Sequence, residues 1–180
     1  MLTVCMYGNG AIPGGGQTLS EYRAQYSVWS IMASPMLHGA DLRTVQKEHP
    51  DCHKLIINAD IIKVNQDPAA LPARMVYQHP PFPEATTGEI VQQIFARPLS
   101  GGRTALILLN RGEASLKMTA TWKQLGFASS SEKFAVYDVI AQKPHAVSSV
   151  AGKFEATVPS HDVSFVILTP LATSTTNIAV

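Results

Sequence analysis

The sequence predicts an α/β segment followed by an all-β segment. Residues 1–74 read as βα units of a parallel sheet or barrel, 75–170 as an antiparallel β-sandwich and 171–180 as a flexible tail. Three observations predict this. Early in the chain, short apolar runs alternate with stretches of helical period. After the loop marked by Pro80, Pro81 and Pro83, short β-rich runs follow one another with turn residues between them. Within those runs the period is two, as where Phe154, Ala156 and Val158 alternate with Lys153, Glu155 and Thr157.

Leu2 to Tyr7, in MLTVCMYGNG, is apolar without alternation and reads as a strand buried on both faces. The Gly-rich loop GNGAIPGGGQ follows. Thr18 and Glu21 then have capping-box spacing, in which the Thr oxygen accepts from an orphan N–H and the Glu reaches back. Tyr22, Tyr26, Trp29 and Ala33 recur at helical spacing, Leu19 and Ile31 widen the stripe, and Pro35 ends the helix. PMLHGAD reads as a second buried strand. HPDCHKLIINADIIKVNQDP reads as a helix with Asp51 as N-cap, broken near Asn58 and ended before Pro68. The β-rich runs are VQQIFARPL, TALILLNRG, SLKMTATW, KFAVYDVIA, KFEATVP and VSFVILTP, and no helical stripe interrupts them. Val163, Phe165 and Ile167 mark one face of the last. The tail LATSTTNIAV is small and polar and frays. The change of texture places a domain boundary near 70–78.

Composition narrows the function classes. With 46% hydrophobic and 15% charged residues among 180, the chain can bury a core and is not disordered. A net charge of +1, with Lys and Arg spread along the chain, does not build a phosphate-reading surface, so nucleic acid is not an expected partner. No apolar run is long enough to span a bilayer, so no membrane partner is expected. Met1 to Tyr7 lacks the basic flank and the length of a signal peptide. Cys5 and Cys52 are either a pair or two free thiols, which leaves the redox compartment open. No Asn-x-Ser/Thr sequon occurs.

The chemistry-bearing residues form no catalytic constellation by themselves. His49, Cys52 and His53 lie close together, but Pro50 interrupts the helix that would align the two histidines, and no second ligand cluster follows, so no metal is expected. GNGAIPGGG lacks both nucleotide-loop spacings and reads as a flexible loop at the carboxyl end of a strand. In a barrel that end is the functional face. Asp41 and Arg43 follow the second strand there. A structural ion pair or helix-start contact is favoured over a catalytic carboxylate. Asp67 reads as a turn-forming Asp-Pro. Tyr22, Tyr26 and Trp29 read as core rather than as a sugar-stacking platform. No carboxylate pair can be placed at a glycosidase separation, and no Ser/His/Asp set lines up.

Four stretches in order do carry a specific signal: MLTVCMYGNG, TLSEYRAQYSVWSIMASPMLHGADLR, IIKVNQDP and FARPLSGGRTALILLNRG. Together they resemble the carboxyl-terminal half of the family 27 glycoside hydrolases, the α-galactosidases and α-N-acetylgalactosaminidases. The resemblance runs from residue 1 to about 169 and is looser over VYDV and VPSHDVSFVIL. It implies an amino-terminal (β/α)8 TIM barrel, of which this chain carries the seventh and eighth βα units in residues 1–74, followed by the antiparallel sandwich. It also implies retaining hydrolysis of terminal α-linked galactose by two carboxylates, one attacking the anomeric carbon and the other serving as acid and then base. Both family aspartates sit on earlier strands, so no catalytic residue is expected in this chain.

The family's seventh strand reads Trp-Asn-Asp-Pro-Asp-Met-Leu, in which the last Asp holds sugar hydroxyls and the Met lines the pocket. Met1 matches that Met and is the one substrate-binding residue the resemblance assigns. Asp41, Arg43, Asn65, Gln66 and Asp67 match recurrent positions read as structural. The resemblance implies no cofactor, α-galactoside sugars as ligands, a secreted or lysosomal/vacuolar location, and allows a homodimer. The targeting signal is expected outside this chain, and the chain alone is expected to be inactive. The competing readings are an α-N-acetylgalactosaminidase and a non-catalytic carbohydrate-binding or structural sandwich.

Overall fold

The computed structural model describes residues 2–7, 16–81 and 90–171. Met1, most of both predicted loops and the tail from residue 172 lie outside the described residues. Four helices come first: α1 (Leu19–Ile31), α2 (Leu42–Glu48), α3 (Pro50–Ile56) and α4 (Ala59–Asn65). Eight strands follow: β1 (Arg74–His79), β2 (Gln92–Pro98), β3 (Thr104–Asn110), β4 (Leu116–Thr121), β5 (Lys133–Asp138), β6 (Lys143–Ala151), β7 (Lys153–Val158) and β8 (Val163–Pro170). A short helix α5 (Trp122–Leu125) sits between β4 and β5.

The capping box at α1 is present in full. The Thr18 side chain accepts from the Glu21 N–H, and the Glu21 carboxylate accepts from the Thr18 N–H at 2.6 Å. Tyr22 and Tyr26 are wholly buried, as their spacing predicts, whereas Trp29 is half-buried. Helix α4 starts at the predicted break, because the Asn58 side chain accepts from the N–H groups of Asp60 and Ile61.

Two expectations are corrected. The first concerns the two buried strands, which reduce to one parallel bridge between Leu2 and His38. Val4 and Cys5 already turn, and Leu37 is 66% exposed. A ladder needs consecutive paired residues, and the turn at Val4 and Cys5 ends the pairing after this one bridge.

The second is Asp51, which is not an N-cap. Helix α3 begins with Pro50 at its first position and His49 as the cap, so Asp51 falls in the first turn and pairs with Lys54. GADLRT opens a helix of its own, α2, with Asp41 as its cap, the helix-start contact expected of it.

The six predicted β runs correspond to β2, β3, β4, β5, β7 and β8. The structure adds β1 and β6, the outer strands of a six-stranded antiparallel sheet ordered β1-β2-β3-β8-β5-β6. Edge strands bury less and carry a weaker apolar pattern. It also adds α5, capped by a Thr121–Gln124 box where a helix-free segment was expected. The second sheet is the pair β4-β7.

The six-stranded sheet is the middle of three layers, which explains the unbroken apolar run TALILLN. Ala105 and Ile107 of β3 pack with Tyr22, Tyr26, Ile31 and Ile61 of the helices. Leu106 and Leu108 pack with Met118, Trp122, Phe154 and Val158 on the other side. Strand β8 does the same, with Val163 and Phe165 toward the helices and Val166 and Leu168 toward the small sheet. Alternate residues of one strand thus serve two cores, and neither face is free to be polar.

Candidate functional site

The candidate site begins at the parallel bridge, where the two early segments run side by side. Leu2 N–H donates to the Leu37 carbonyl at 2.7 Å, and Gly39 N–H donates to the Leu2 carbonyl at 3.1 Å. Beyond the bridge, on the carboxyl side, lie Cys5, Tyr7, Asp41 and Arg43. Cys5 is disulfide-bonded to Cys52 of α3, with Cα atoms 5.9 Å apart and 47 residues between them in sequence. The pairing left open by the sequence is therefore settled. It fixes the segment that follows Met1 onto the first turn of α3.

Aromatic side chains close this end. The Tyr7 ring stacks on His49 with centroids 3.7 Å apart and meets the edge of Tyr22 at 5.0 Å. Burial, with a smaller push from the Asp51 charge, raises the Tyr7 hydroxyl above its ordinary pKa. Tyr26 is driven up to about 12 by burial, and its hydroxyl donates to the Ile56 carbonyl at 2.8 Å. His38 lies beside Tyr26, its pKa lowered by burial, so the imidazole is neutral at pH 7.

Asp41 is a helix-start residue and an ion-pair partner together. Its carboxylate accepts from the Arg43 N–H and from the Arg43 guanidinium at 2.8 and 3.0 Å. Those bonds, the guanidinium first, hold the carboxyl at about 2, too acidic to serve as a general acid near neutrality. His49, Cys52 and His53 do not converge on an ion, and no metal-binding group of three ligands occurs among the described residues. Met1, the expected pocket residue, lies outside the described residues; its neighbour Leu2 is wholly buried.

The remaining predicted residues tie the helices to the sandwich. Asp67 does form the predicted turn, accepting from the Ala69 N–H at 3.0 Å. It also accepts from the N–H and hydroxyl of Ser100, both at 2.8 Å, and from Arg103 at 3.2 Å. Burial alone would raise its pKa. The backbone donors Ser100 and Ala69, the Ser100 hydroxyl and the Arg103 charge outweigh it and hold the carboxyl below its ordinary value. Asn65 donates to the Ser34 carbonyl at 2.9 Å, and Gln66 is the C-cap of α4.

Sequence reasoning missed two charged residues that do similar work. Arg97 of β2 is 0% exposed, and its guanidinium donates to the carbonyls of Ser30 and Asn65 at 3.3 and 3.4 Å, and to Val64. Asp162 pairs with Arg23 of α1 and accepts from its own neighbour Val163. The available signal for Arg97 was a charge inside the apolar strand FARPL. Asp60 is likewise committed, accepting from the Tyr137 hydroxyl at 2.8 Å and from Lys63 at 3.0 Å. Asp60, Asp67 and Asp162 are thus engaged in holding the layers together, and the fourth half-buried or buried aspartate among the described residues, Asp138, accepts from the N–H groups of Ile140 and Ala141 in its own turn. None stands free opposite a second carboxylate as an acid/base pair requires.

The comparisons with known proteins follow the same division. Residues 91–168 match the family model described as the α-galactosidase C-terminal β-sandwich domain, and residues 11–67 match the one described as α-galactosidase A. The chain is 34% identical over 163 residues to α-galactosidase 3 of Arabidopsis thaliana, an alignment covering 91% of this chain and 35% of that protein. It is 33% identical over 160 residues to the α-galactosidase of Coffea arabica, covering 88% of this chain and 38% of that protein. Among solved structures, α-galactosidase I of Mortierella vinacea superposes with a TM-score of 0.74 at 29% identity, over 92% of this chain and 39% of that one. The chain therefore spans little more than a third of the length of these relatives.

Proposed function

Because the chain belongs to glycoside hydrolase family 27, the α-galactosidase family, we propose that it forms the carboxyl-terminal part of an enzyme that hydrolyses terminal α-linked galactose with retention. What carries the reading is the order and joint packing of its parts. A βα segment and a sandwich follow one another as in the relatives, and share one core through Tyr22, Tyr26, Ile107 and Phe165. The two reacting carboxylates come from the stretch of the relatives that this chain does not span, since the buried aspartates here are committed to structural bonds. The chain's own share is to hold the last βα units on the sandwich and to place Met1 as an apolar wall of the sugar pocket. We also assign the protein to an oxidising compartment, secreted or lysosomal/vacuolar, because the Cys5–Cys52 bond persists only there in most cells.

The test is a chimera in which these 180 residues replace the matching carboxyl-terminal part of the Arabidopsis α-galactosidase 3. The chimera should release nitrophenol from nitrophenyl α-galactoside, and the chain alone should not. In the chimera Met1→Ala should raise KM more than it lowers kcat, because an apolar wall binds ground state and transition state alike. A folded but inactive chimera would overturn the reading, as would hydrolysis by the chain alone.

A further inference from the structure

A groove of about 550 Å³ runs where helix α1 meets the ends of β2 and β3, within the size range of small-molecule sites. Its lining includes one residue of the aromatic stripe expected to be core. Tyr22 and Tyr26 turn inward; Trp29 packs against the same core from a half-buried position, as the stripe predicts, and its outer part also lines the groove. The Trp29 indole N–H donates to the Pro35 carbonyl at 3.0 Å, which anchors the ring and leaves its carbon surface as what it can offer a ligand.

Around that ring the polar groups are amides and one cation. Gln25 of α1 and Gln93 of β2 line the groove: the Gln25 amide is bonded to the Thr3 hydroxyl at 3.1 Å and the Gln93 NH2 donates to the Gln78 side-chain oxygen at 3.4 Å, which leaves a second Gln25 N–H and the Gln93 oxygen for a ligand. Gln17 adds a buried side-chain oxygen with no hydrogen-bond partner among the described residues. Arg111 also lines it, and its guanidinium makes no side-chain hydrogen bond or ion pair among the described residues. Glu21 is occupied by its capping bonds to Thr18, and His161 by Glu113.

The groove thus presents an anchored aromatic surface beside groups that donate and groups that accept, with one uncommitted charge. A nucleotide would ask for several cations. An apolar peptide would leave the Arg111 and Gln17 groups unsatisfied. A pyranose has an apolar C–H face for the ring and hydroxyls that both donate to amide oxygens and accept from the guanidinium fork.

We propose that this groove is a non-catalytic binding site for neutral oligosaccharide, with one sugar ring on Trp29 and its hydroxyls on Gln25, Gln93 and Arg111. The inference rests on the groove's own chemistry and is read by binding, so its failure and a failure of the hydrolase reading are separate results.

The 180-residue chain is titrated with raffinose and, in parallel, with trigalacturonate, following tryptophan fluorescence. Trp122 is wholly buried, so the change reports Trp29. Raffinose should saturate with a Kd on the order of 1 mM. Arg111→Ala should weaken it about fivefold, the loss of one hydrogen-bonding partner. Trp29→Leu should weaken it about tenfold, the loss of a sugar-stacking face. If Trp29→Leu unfolds the chain, Arg111→Ala and Gln25→Ala carry the test on their own. Three results would overturn the proposal: no saturable change with raffinose, binding unaltered by Arg111→Ala, or tighter binding of trigalacturonate, which would make the site one for acidic sugars.

Discussion

The guanidinium of Arg97, on strand β2, donates to the carbonyl of Val64 near the end of helix α4. The same nitrogen reaches Ser30 near the end of α1, so one buried cation serves the carboxyl ends of two helices. Carbonyls left without partners at a helix end carry partial negative charge, and a cation there is stabilising. Two guanidinium nitrogens, Nε and Nη2, have no partner among the described residues, which offsets part of the gain.

Replacing Arg97 by Met therefore tests the sum of these terms. The variant takes the guanidinium from three carbonyls, of which Ser30 and Val64 still accept from the N–H groups of Ala33 and Gln66, and also removes a partly unsatisfied buried charge. A net loss of about 2 kcal/mol is expected, read from the urea midpoint at unchanged slope. A variant as stable as the parent would show that the unpaired nitrogens cancel the helix-end bonds.

Asp162 and Arg23 join the last strand's entry to helix α1, with side-chain exposures of 3% and 27%. Removing the carboxylate by Asp162→Ala strands a half-buried cation and frees the Val163 N–H. The full cost of breaking a buried pair is reduced because Arg23 can turn toward water, so a loss of about 2 kcal/mol is expected by chemical denaturation. Arg43→Ala, which opens the exposed pair with Asp41, should leave the denaturation midpoint unchanged.

Asp67 should make stability depend on pH on the acid side. Its pKa is lowered in the folded state, so the unfolded chain binds the proton more readily. The contribution is complete above the unfolded value of roughly 4 and is lost as pH falls through the lower folded value. Asp60 acts in the same direction. The melting temperature should fall with acidification below about pH 4, and Asp67→Asn should flatten that fall while lowering stability at neutral pH. An unchanged acid limb would show that Asp67 does not drive it.

The Cys5–Cys52 bond closes a loop that spans α1 and α2 and ends in the first turn of α3. A loop of 47 residues is worth about 4 kcal/mol in the chain-entropy account. Cys5→Ser should shift the denaturation midpoint by nearly that amount, and reductant should do the same to the parent but not to the variant.

Leu37 is 66% exposed beside the bridge, and Met32 and Leu42 are exposed nearby in sequence. An apolar side chain on an unpaired strand segment is a site for dye or for a neighbouring chain. The chain should bind a hydrophobic dye, and Leu37→Ser should reduce the signal without altering the melt.

Period and punctuation in the sequence made much of the fold legible. The Thr18–Glu21 box, the Asn58 break and the runs of β2, β3, β4, β5, β7 and β8 are local signals written within a few residues of where they act. What they could not show is the outcome of competition between elements. The apolar runs at Leu2–Tyr7 and PMLHGAD look like buried strands, but a strand needs a partner that continues the pairing over several residues, and here one bridge forms. Strands β1 and β6 are set by pairing with β2 and β5 rather than by their own pattern.

By itself the sequence determined the family and the order of a βα segment before a sandwich, because motif order and apolar period are properties of the chain. Only the tertiary structure decided that Cys5 meets Cys52, that Arg97 caps two helices, that Asp67 holds Ser100 and Arg103, and that Trp29 sits at the edge of the core that buries Tyr22 and Tyr26, where it also lines a groove. Each is a meeting of residues distant along the chain or a choice between faces. Long-range packing settles such choices, because a buried charge or thiol takes the partner that the surrounding core brings within reach.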